Sequence, residues 1–192
     1  YNPERAKQLL AEDGWKDTDG DGILDKDGKP LTFNFVVYNS RAELPLYAEA
    51  VQADLKKVGI DMKIKTVDYN LIDKMGQDGD YDMLISNIVT ANTGDPIWFL
   101  ANYWHTNNNG SNPQNGSGYS NPQVDQLLEA ATVEFDSAKR REYAIQIQQL
   151  LMNDGAALFF GYPKTNIVNA KYLNNVVMYP SDYYWITNKI SK

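Results

Sequence analysis

The strongest constraint on the fold of this chain is the alternation of strand-like and helix-like hydrophobic patterns in its first half. Residues 31–38 form an apolar, aromatic-rich run, residues 60–65 alternate between apolar and polar side chains, and residues 81–89 form a second apolar run. These three patterns predict strands, and residues 44–58 and 69–77 between them predict helices. Strands separated by helices build a mostly parallel sheet with helices on its faces, so the sequence predicts an α/β fold.

The second half is dominated by helix signals. Asn or Asp before Pro supplies a side-chain cap and a first-turn residue with a suitable φ. Such starts occur at Asn2-Pro3, Asp95-Pro96 and Asn121-Pro122, with a further cap at Asp136 or Ser137. The helix that starts at Asp95-Pro96 holds Trp98, Phe99, Leu100, Tyr103 and Trp104. The helix that starts at Asn121-Pro122 is predicted to run through Phe135. The predicted inward faces are Tyr47, Ala50, Val51, Leu55 and Val58 in one helix, and Tyr143, Ala144, Ile147, Leu150 and Leu151 in another.

Two further segments carry structural expectations. Residues 105–118 are Asn, Gly and Ser almost throughout, so we expect a loop that is too polar to pack and that is either functional or disordered. Residues 157–162 and 165–168 are predicted to be strands.

Composition excludes several classes of function. The chain has 192 residues, a net charge of −7, no cysteine and a single histidine, His105. A negative charge without a basic cluster disfavours nucleic-acid binding. The absence of cysteine excludes thiol catalysis and mildly favours an exported protein. No apolar run approaches the roughly 20 residues that a membrane-spanning helix needs.

The acidic loop at residues 17–25 resembles a calcium-binding loop. Asp17, Asp19, Asp21 and Asp25 stand at positions 1, 3, 5 and 9 of such a loop, but Gly28 occupies position 12, where a bidentate Glu is expected. The same Asp and Gly residues also suit a tight connection. Both interpretations stay open: a weak Ca²⁺ site formed by these four carboxylates, or a plain turn with no bound cofactor.

Four stretches, in order, resemble the oligopeptide-, dipeptide- and nickel-binding family of extracytoplasmic solute-binding proteins, family 5 of the receptors that serve ABC importers. They are YNPERAKQLLAEDGW at 1–15, VQADLKKVGI at 51–60, YD at 81–82 leading to GDPIWFL at 94–100, and GYSNPQVDQLL at 118–128 followed by REY at 141–143. Each is weak alone, but their order and spacing together are specific and cover nearly the whole chain.

The resemblance implies the C-terminal lobe of a type II periplasmic-binding-protein-like fold, incomplete without its N-terminal lobe. Residues 1–164 would be the ligand-binding lobe, and residues 165–192 a tail that crosses back to the missing lobe. The implied function is capture of oligopeptides or a related small solute and its delivery to a membrane permease. The receptor would be extracytoplasmic, in a periplasm or as a surface lipoprotein whose N-terminal anchor lies outside this chain; the start at Tyr1-Asn2-Pro3 is expected to be internal to a longer protein.

The resemblance also implies a ligand cleft past the end of the strand predicted at residues 81–89, where ligands gather in open α/β sheets. The expected contacts are Ser86, Ile88, Asn92, Thr93, Asp95, Trp98 and Tyr119. Many relatives carry a Trp and then an acid in this loop, and the acid pairs with a peptide's α-amino group. Here Asn92 or Ala91 stands in its place, and a neutral amide loses the charge-assisted part of that contact. We therefore expect an unusual peptide or a non-peptide solute. For Asp95 a helix-capping role is the alternative.

Two other functions compete with the receptor. A glycosidase-like enzyme would use paired carboxylates, but most acids here lie at helix caps, in the acidic loop or on solvated faces, and we expect no catalytic residue. A calcium-dependent carbohydrate-binding or adhesion module would use the acidic loop and the aromatic residues, which make up 12% of the chain. Such a module would bind its ligand as an isolated chain.

Overall fold

A computed structural model of the chain describes residues 1–90, 94–108, 110–112, 114–164, 166–178 and 186–192. The helices are α1 (Pro3–Glu12), α2 (Glu43–Lys56), α3 (Ile72–Asp78), α4 (Pro96–Trp104), α5 (Pro122–Val133) and α6 (Ser137–Asn153). The strands are β1 (Asp25–Lys26), β2 (Lys29–Pro30), β3 (Thr32–Tyr38), β4 (Asp61–Val67) and β5 (Met83–Leu84), and a 3₁₀ turn, Tyr69–Leu71, precedes α3. Within the described ranges, no helix combines the length and the apolar character needed to cross a membrane.

The main sheet has three strands in the order β4-β3-β5, and both pairings are parallel. The middle strand β3 pairs with β4 along its whole length and with β5 at Phe35 and Val36. Its last four residues, 35–38, are all buried, as expected for a parallel strand covered on both faces. The predicted α/β architecture with a parallel sheet is confirmed.

The third strand is much shorter than the predicted run at residues 81–89. Only Met83 and Leu84 are strand, although the Ile85 N–H still donates to the Val36 carbonyl at 3.1 Å. Two residues further on, the Asn87 N–H donates to the Tyr38 hydroxyl at 3.0 Å instead of to a backbone carbonyl. The ladder between β5 and β3 therefore stops at Val36, two residues before β3 itself ends at Tyr38.

Helix α2 covers the sheet with a face that agrees only in part with the predicted one. Leu44 and Ala48 are buried, and Val51 and Leu55 pack against the sheet core. This stripe follows the i, i+4, i+7, i+11 spacing of a helix face. The prediction was wrong for Tyr47 and Ala50, which are exposed; it was right for the other members of that face.

Helices α4, α5 and α6 form a second core in the latter half of the chain. Its buried members are Ile97, Phe99, Leu100, Trp104, Val124, Leu128, Ala131, Ala144, Ile147 and Leu151. Asn121 and Asp136 cap α5 and α6 as predicted, and the predicted inward face of α6 is confirmed. Helix α5 ends at Val133, before Phe135, whose side chain is 97% exposed.

The sequence predicts that the Asn-rich loop between α4 and α5 is too polar to pack. The structure shows that this prediction is wrong. Asn115 is only 3% exposed, and its side-chain amide donates to the backbone carbonyls of His105 (2.9 Å) and Tyr119 (2.8 Å). The Asn112 amide donates to the carbonyls of Ala101 and His105. Buried polar groups are tolerated when they are hydrogen-bonded, so the amides let this loop fold onto the end of α4.

The strands predicted at residues 157–162 and 165–168 are absent: in the part of these segments that the structure describes, no residue is in a strand. A strand requires a neighbour that completes its hydrogen bonds, and none of the described elements pairs with this segment. Its apolar side chains are instead exposed, including Leu158 (71%), Phe159 (60%) and Tyr162 (87%).

The second core provides a matched test of the packing. Ile147 is fully buried and Ile145, on the same helix α6, is 58% exposed. We expect Ile147→Ala to lower the free energy of unfolding by about 2–5 kcal/mol, because it removes buried methyl groups and leaves a cavity. Ile145→Ala should change it by about 0.5 kcal/mol or less. Urea unfolding of the two variants measures the difference; equal losses would contradict this packing of α6.

Candidate functional site

Polar groups meet where the parallel strands end. The Asn87 N–H donates to the hydroxyl of Tyr38, the last residue of β3, at 3.0 Å. The Asn87 side-chain amide donates to Oε1 of Glu43, the first residue of α2, at 3.3 Å. Tyr38 is 1% exposed, while Glu43 and Asn87 are half-buried. Carboxyl ends of parallel strands are where open α/β sheets bind ligands, so this position is chemically suited to a solute.

An aromatic residue joins this group from the chain that follows β4. Tyr69 follows β4, and its ring packs edge-on against the Tyr38 ring with 5.0 Å between centroids. The Tyr69 side chain is 56% exposed, so one ring surface is available to a ligand. We call Tyr38, Glu43, Tyr69 and Asn87 the carboxyl-edge cluster. Its members come from the ends of all three strands and from the start of α2.

Tyr103 lies on α4, where its ring packs against Phe99 with 5.2 Å between ring centroids. Burial raises the pKa of Tyr103, and the charges of Asp73 and Tyr69 raise it further.

The predicted contact residues are distributed unevenly around the cluster. Ser86 is exposed and directly precedes Asn87, whereas Ile88 packs against the α4–α6 core. Trp98 is 40% exposed on α4. Asn92 and Thr93 lie outside the described residues. Ser86 and Trp98 are therefore open to solvent, and Ile88 mainly contributes packing.

Asp95 makes structural contacts through both carboxylate oxygens. Oδ1 accepts from the Ile97 N–H at 3.0 Å, which caps α4, and Oδ2 accepts from the Arg140 guanidinium. Arg140 also donates to the carbonyls of Ala131 and Glu134 at the end of α5. One guanidinium thus joins α4, α5 and α6, and these contacts favour the capping role for Asp95.

Tyr119 is fixed by its hydroxyl. The hydroxyl donates to Oδ2 of Asp154 at 2.6 Å, and the Asn121 amide donates to the same oxygen at 2.8 Å. Burial and the hydrogen bond to Asp154 raise the pKa of Tyr119 to about 12, and the two hydrogen bonds hold the pKa of Asp154 below its usual value. The Tyr119 ring packs edge-on against Trp104. The hydroxyl therefore joins the loop to the end of α6.

The acidic loop brings three of its four predicted ligands together. One carboxylate oxygen from each of Asp17, Asp19 and Asp21 lies within 4.8 Å of the others, and all three residues are exposed. Their oxygens also accept backbone N–H bonds inside the loop, as when Asp17 accepts from Gly20 and Gly22. Asp25 turns elsewhere and accepts from the N–H and hydroxyl of Thr18. This geometry serves the turn as well as it would serve Ca²⁺, so the calcium site stays a prediction.

Gly28, at the position where a calcium loop needs Glu, is a turn residue of a β-hairpin. Strands β1 and β2 form an antiparallel hairpin, and its two turn residues, Asp27 and Gly28, have φ of 54° and 72°. Two consecutive positive φ values are characteristic of the type I′ turn, which Asp-Gly favours. The end of the acidic loop is therefore built as a hairpin.

A hollow of about 310 Å³ lies near the start of β5 and is lined by Asn34, Lys65, Asp80, Tyr81 and Asp82 among others. Its polar groups bond to one another: the Asn34 N–H donates to Asp82 at 2.7 Å, and Lys65 pairs with Asp80 at 3.3 Å. Its polar groups are thus paired with one another, and it lies near the start of β5 and not at the carboxyl ends of the strands.

Comparison with known proteins identifies the family. Residues 1–111 match the family described as bacterial extracellular solute-binding proteins, family 5 middle. The chain belongs to this family, and its fold is that of a partial lobe of a type II periplasmic-binding protein. The oligopeptide-binding protein AppA of Bacillus subtilis is 30% identical over 187 residues, which are 94% of this chain and 33% of AppA. The chain thus spans about a third of the length of that relative.

Solved structures agree with the fold. The structure of Bacillus subtilis AppA in complex with a nonapeptide matches with a TM-score of 0.69 and 31% identity over 80% of this chain and 30% of that one. Brucella suis NikA in complex with Fe(III)-EDTA matches with a TM-score of 0.63 and 29% identity over 76% of this chain and 29% of that one. A Thermotoga maritima oligopeptide-binding protein bound to mannohexaose matches with a TM-score of 0.71 and 26% identity over 80% and 29% of the two chains.

Sequence reasoning missed the carboxyl-edge cluster. The expectation that ligands bind at the carboxyl ends of strands was applied only to the run at residues 81–89. It was not applied to the central strand, whose end at Tyr38 leads within five residues to Glu43. Applied to every predicted strand, the same expectation would have found Tyr38, Glu43 and Tyr69. Asn87 lay between two predicted contacts and carried no separate signal.

Adjacent arginines allow a test of the junction around Asp95. Arg140→Ala should lower the free energy of unfolding by about 1.5–3 kcal/mol, because it leaves a carboxylate and two helix-end carbonyls without their charged donor. The neighbouring Arg141 is exposed, so Arg141→Ala is the control and should change stability by about 0.5 kcal/mol or less. Chemical denaturation of both variants gives the comparison. A loss for Arg141→Ala that matched the loss for Arg140→Ala would show that the junction is not specific.

Proposed function

We propose that this chain is the main part of one lobe of a two-lobed receptor, which captures oligopeptides or a related small solute and delivers it to the permease of an ABC importer. The observation that carries this proposal is the carboxyl-edge cluster, in which polar and aromatic groups from three strand ends face one side of the sheet. The family relationship supports the same function, since the relatives compared above bind a nonapeptide, Fe(III)-EDTA and mannohexaose.

Exposed apolar side chains support the lobe interpretation. After α6, Leu158, Phe159 and Tyr162 are more than half exposed. Phe160 stacks on Tyr47 of α2 with 5.2 Å between ring centroids, and both rings are still more than a third exposed. A contiguous apolar patch on a protein surface usually marks a contact with another domain or protein. In the proposed receptor, the second lobe covers this patch.

The tail has the features expected of a segment that packs on another lobe. In the described residues 166–178 and 186–192, no helix or strand forms, and the ordered pairing is a bridge between Asn174 and Ser191. Val168 is 96% exposed and Ile186 is 92% exposed. We propose that residues 165–192 cross to the second lobe, and that residues 1–164 hold the ligand-binding surface.

In this proposal the receptor is a binding protein and not an enzyme, and it acts outside the cytoplasmic membrane, in a periplasm or as an anchored surface lipoprotein. Closure of two lobes around the solute would give the permease two distinguishable states of the receptor. Because ligand pockets of this kind bury most of the ligand, one lobe alone should bind weakly.

The proposal is tested by calorimetric titration with a mixed peptide library. We expect heat of binding for the intact polypeptide that carries this chain, and binding at least tenfold weaker for residues 1–192 alone. In the intact polypeptide, Asn87→Ala should weaken binding, because it removes the side-chain amide that holds the Glu43 carboxylate at the strand ends. Asn153→Ala, at the far end of α6, is the control and should leave binding unchanged.

Equal affinities of the Asn87 and Asn153 variants would contradict the position of the site. Full-strength binding by residues 1–192 alone would contradict the two-lobed receptor and favour an autonomous binding module. Absence of heat with the intact polypeptide would contradict peptide binding.

A further inference from the structure

Glu43 presents a half-buried carboxylate with no cationic partner in the described part of the chain. Some acids of the chain do have one: Asp54 pairs with Lys57 at 2.6 Å, and Asp61 pairs with Lys63 at 2.6 Å. Glu43 forms no ion pair with any described residue, and its single hydrogen bond there is the one from the Asn87 amide to Oε1. A carboxylate that is partly removed from water gains from a second donor, and Oε2 remains available for one.

The location of Glu43 suits a negative charge and directs the side chain toward the strand ends. It is the first residue of α2, where the helix dipole favours negative charge. The helix dipole by itself does not fix the direction of the side chain, because a solvated carboxylate anywhere near the helix start would interact favourably with it. The bond from Asn87, a residue that follows β5, instead fixes the carboxylate at the edge where the proposed solute lies.

The groups around Glu43 suit a positively charged ligand group. The ring of Tyr69 is exposed beside Tyr38, and aromatic faces attract ammonium and guanidinium ions. The buried Tyr38 hydroxyl accepts from the Asn87 N–H, and this bond holds Asn87 beside Glu43. An anionic group here would be repelled by Glu43.

We propose that Glu43 is a specificity-determining residue that receives a cationic group of the solute, an ammonium or a guanidinium, with Asn87 as the positioning residue. This inference rests on the proposed solute-binding function and narrows the class of solute. The cation could be a peptide's terminal amine or a basic side chain, and the chemistry at Glu43 is the same for both.

The test uses four pentapeptide libraries and the intact polypeptide. One position is arginine or its neutral isostere citrulline, and each library is prepared with a free or an acetylated amino terminus. We expect removal of the recognised cation to weaken wild-type binding on the order of 10- to 100-fold, the range that one charge-assisted hydrogen bond supplies. Sensitivity to acetylation identifies the terminal amine, and sensitivity to citrulline identifies the side chain.

Glu43→Gln should remove this preference, because Gln keeps an oxygen for Asn87 but has no charge. Glu49→Gln is the matched control: Glu49 lies on the exposed side of the same helix, so the preference should persist. Thermal melting of both variants checks that they are folded.

Three results would overturn the inference, and they are distinguishable. Wild-type binding of all four libraries within about twofold would show that no cation is recognised, while the proposed receptor function would stand. A cation preference that persists in Glu43→Gln would assign it to another residue. Failure of the wild type to bind any library would overturn the proposed peptide receptor together with this inference.

Discussion

The structure depends on the parallel pairing of the central strand β3 with β4 on one side and β5 on the other. Parallel strands run in the same direction, so their carboxyl ends meet at one edge, and the groups that follow them meet there too. Burial of residues 35–38 fixes β3 between its neighbours, and a shift by one residue would exchange its two faces. The same packing that stabilises the sheet therefore places Tyr38, Tyr69 and Asn87 together.

The second constraint is the attachment of the helical half to the sheet. Tyr81, next to β5, donates its hydroxyl to the Gly116 carbonyl at 2.6 Å. Gly116 lies so close to α3 that a Cβ atom there would stand 3.0 Å from the Gly76 Cα. Only glycine allows that approach. The loop that carries Gly116 is in turn held to the end of α4 by Asn115, so these contacts attach the helical half to the sheet near the start of β5.

The sequence was sufficient for most of the helices, the α/β class and the family, and insufficient for the contacts. Asn-Pro and Asp-Pro starts predicted α4 and α5, a cap at Asp136 or Ser137 predicted α6, and periodicity predicted the alternation of strands and helices, because those signals are local. They failed at residues 157–162, where a β-like composition has no partner strand, and at Asn115, whose burial depends on two carbonyls elsewhere in the fold. The carboxyl-edge cluster likewise depends on contacts between distant residues. The Glu43 side chain is held at the strand ends by Asn87, which lies 44 residues away in the chain.

We propose that solute binds at the carboxyl ends of β3, β4 and β5. Hydrogen exchange of the intact polypeptide, with and without the mixed peptide library, tests it most directly. Bound peptide should slow amide exchange at residues 38–43 and 85–90, with little change in the acidic loop at 17–25. Binding without protection at these strand ends, or protection concentrated at 17–25, would contradict the account.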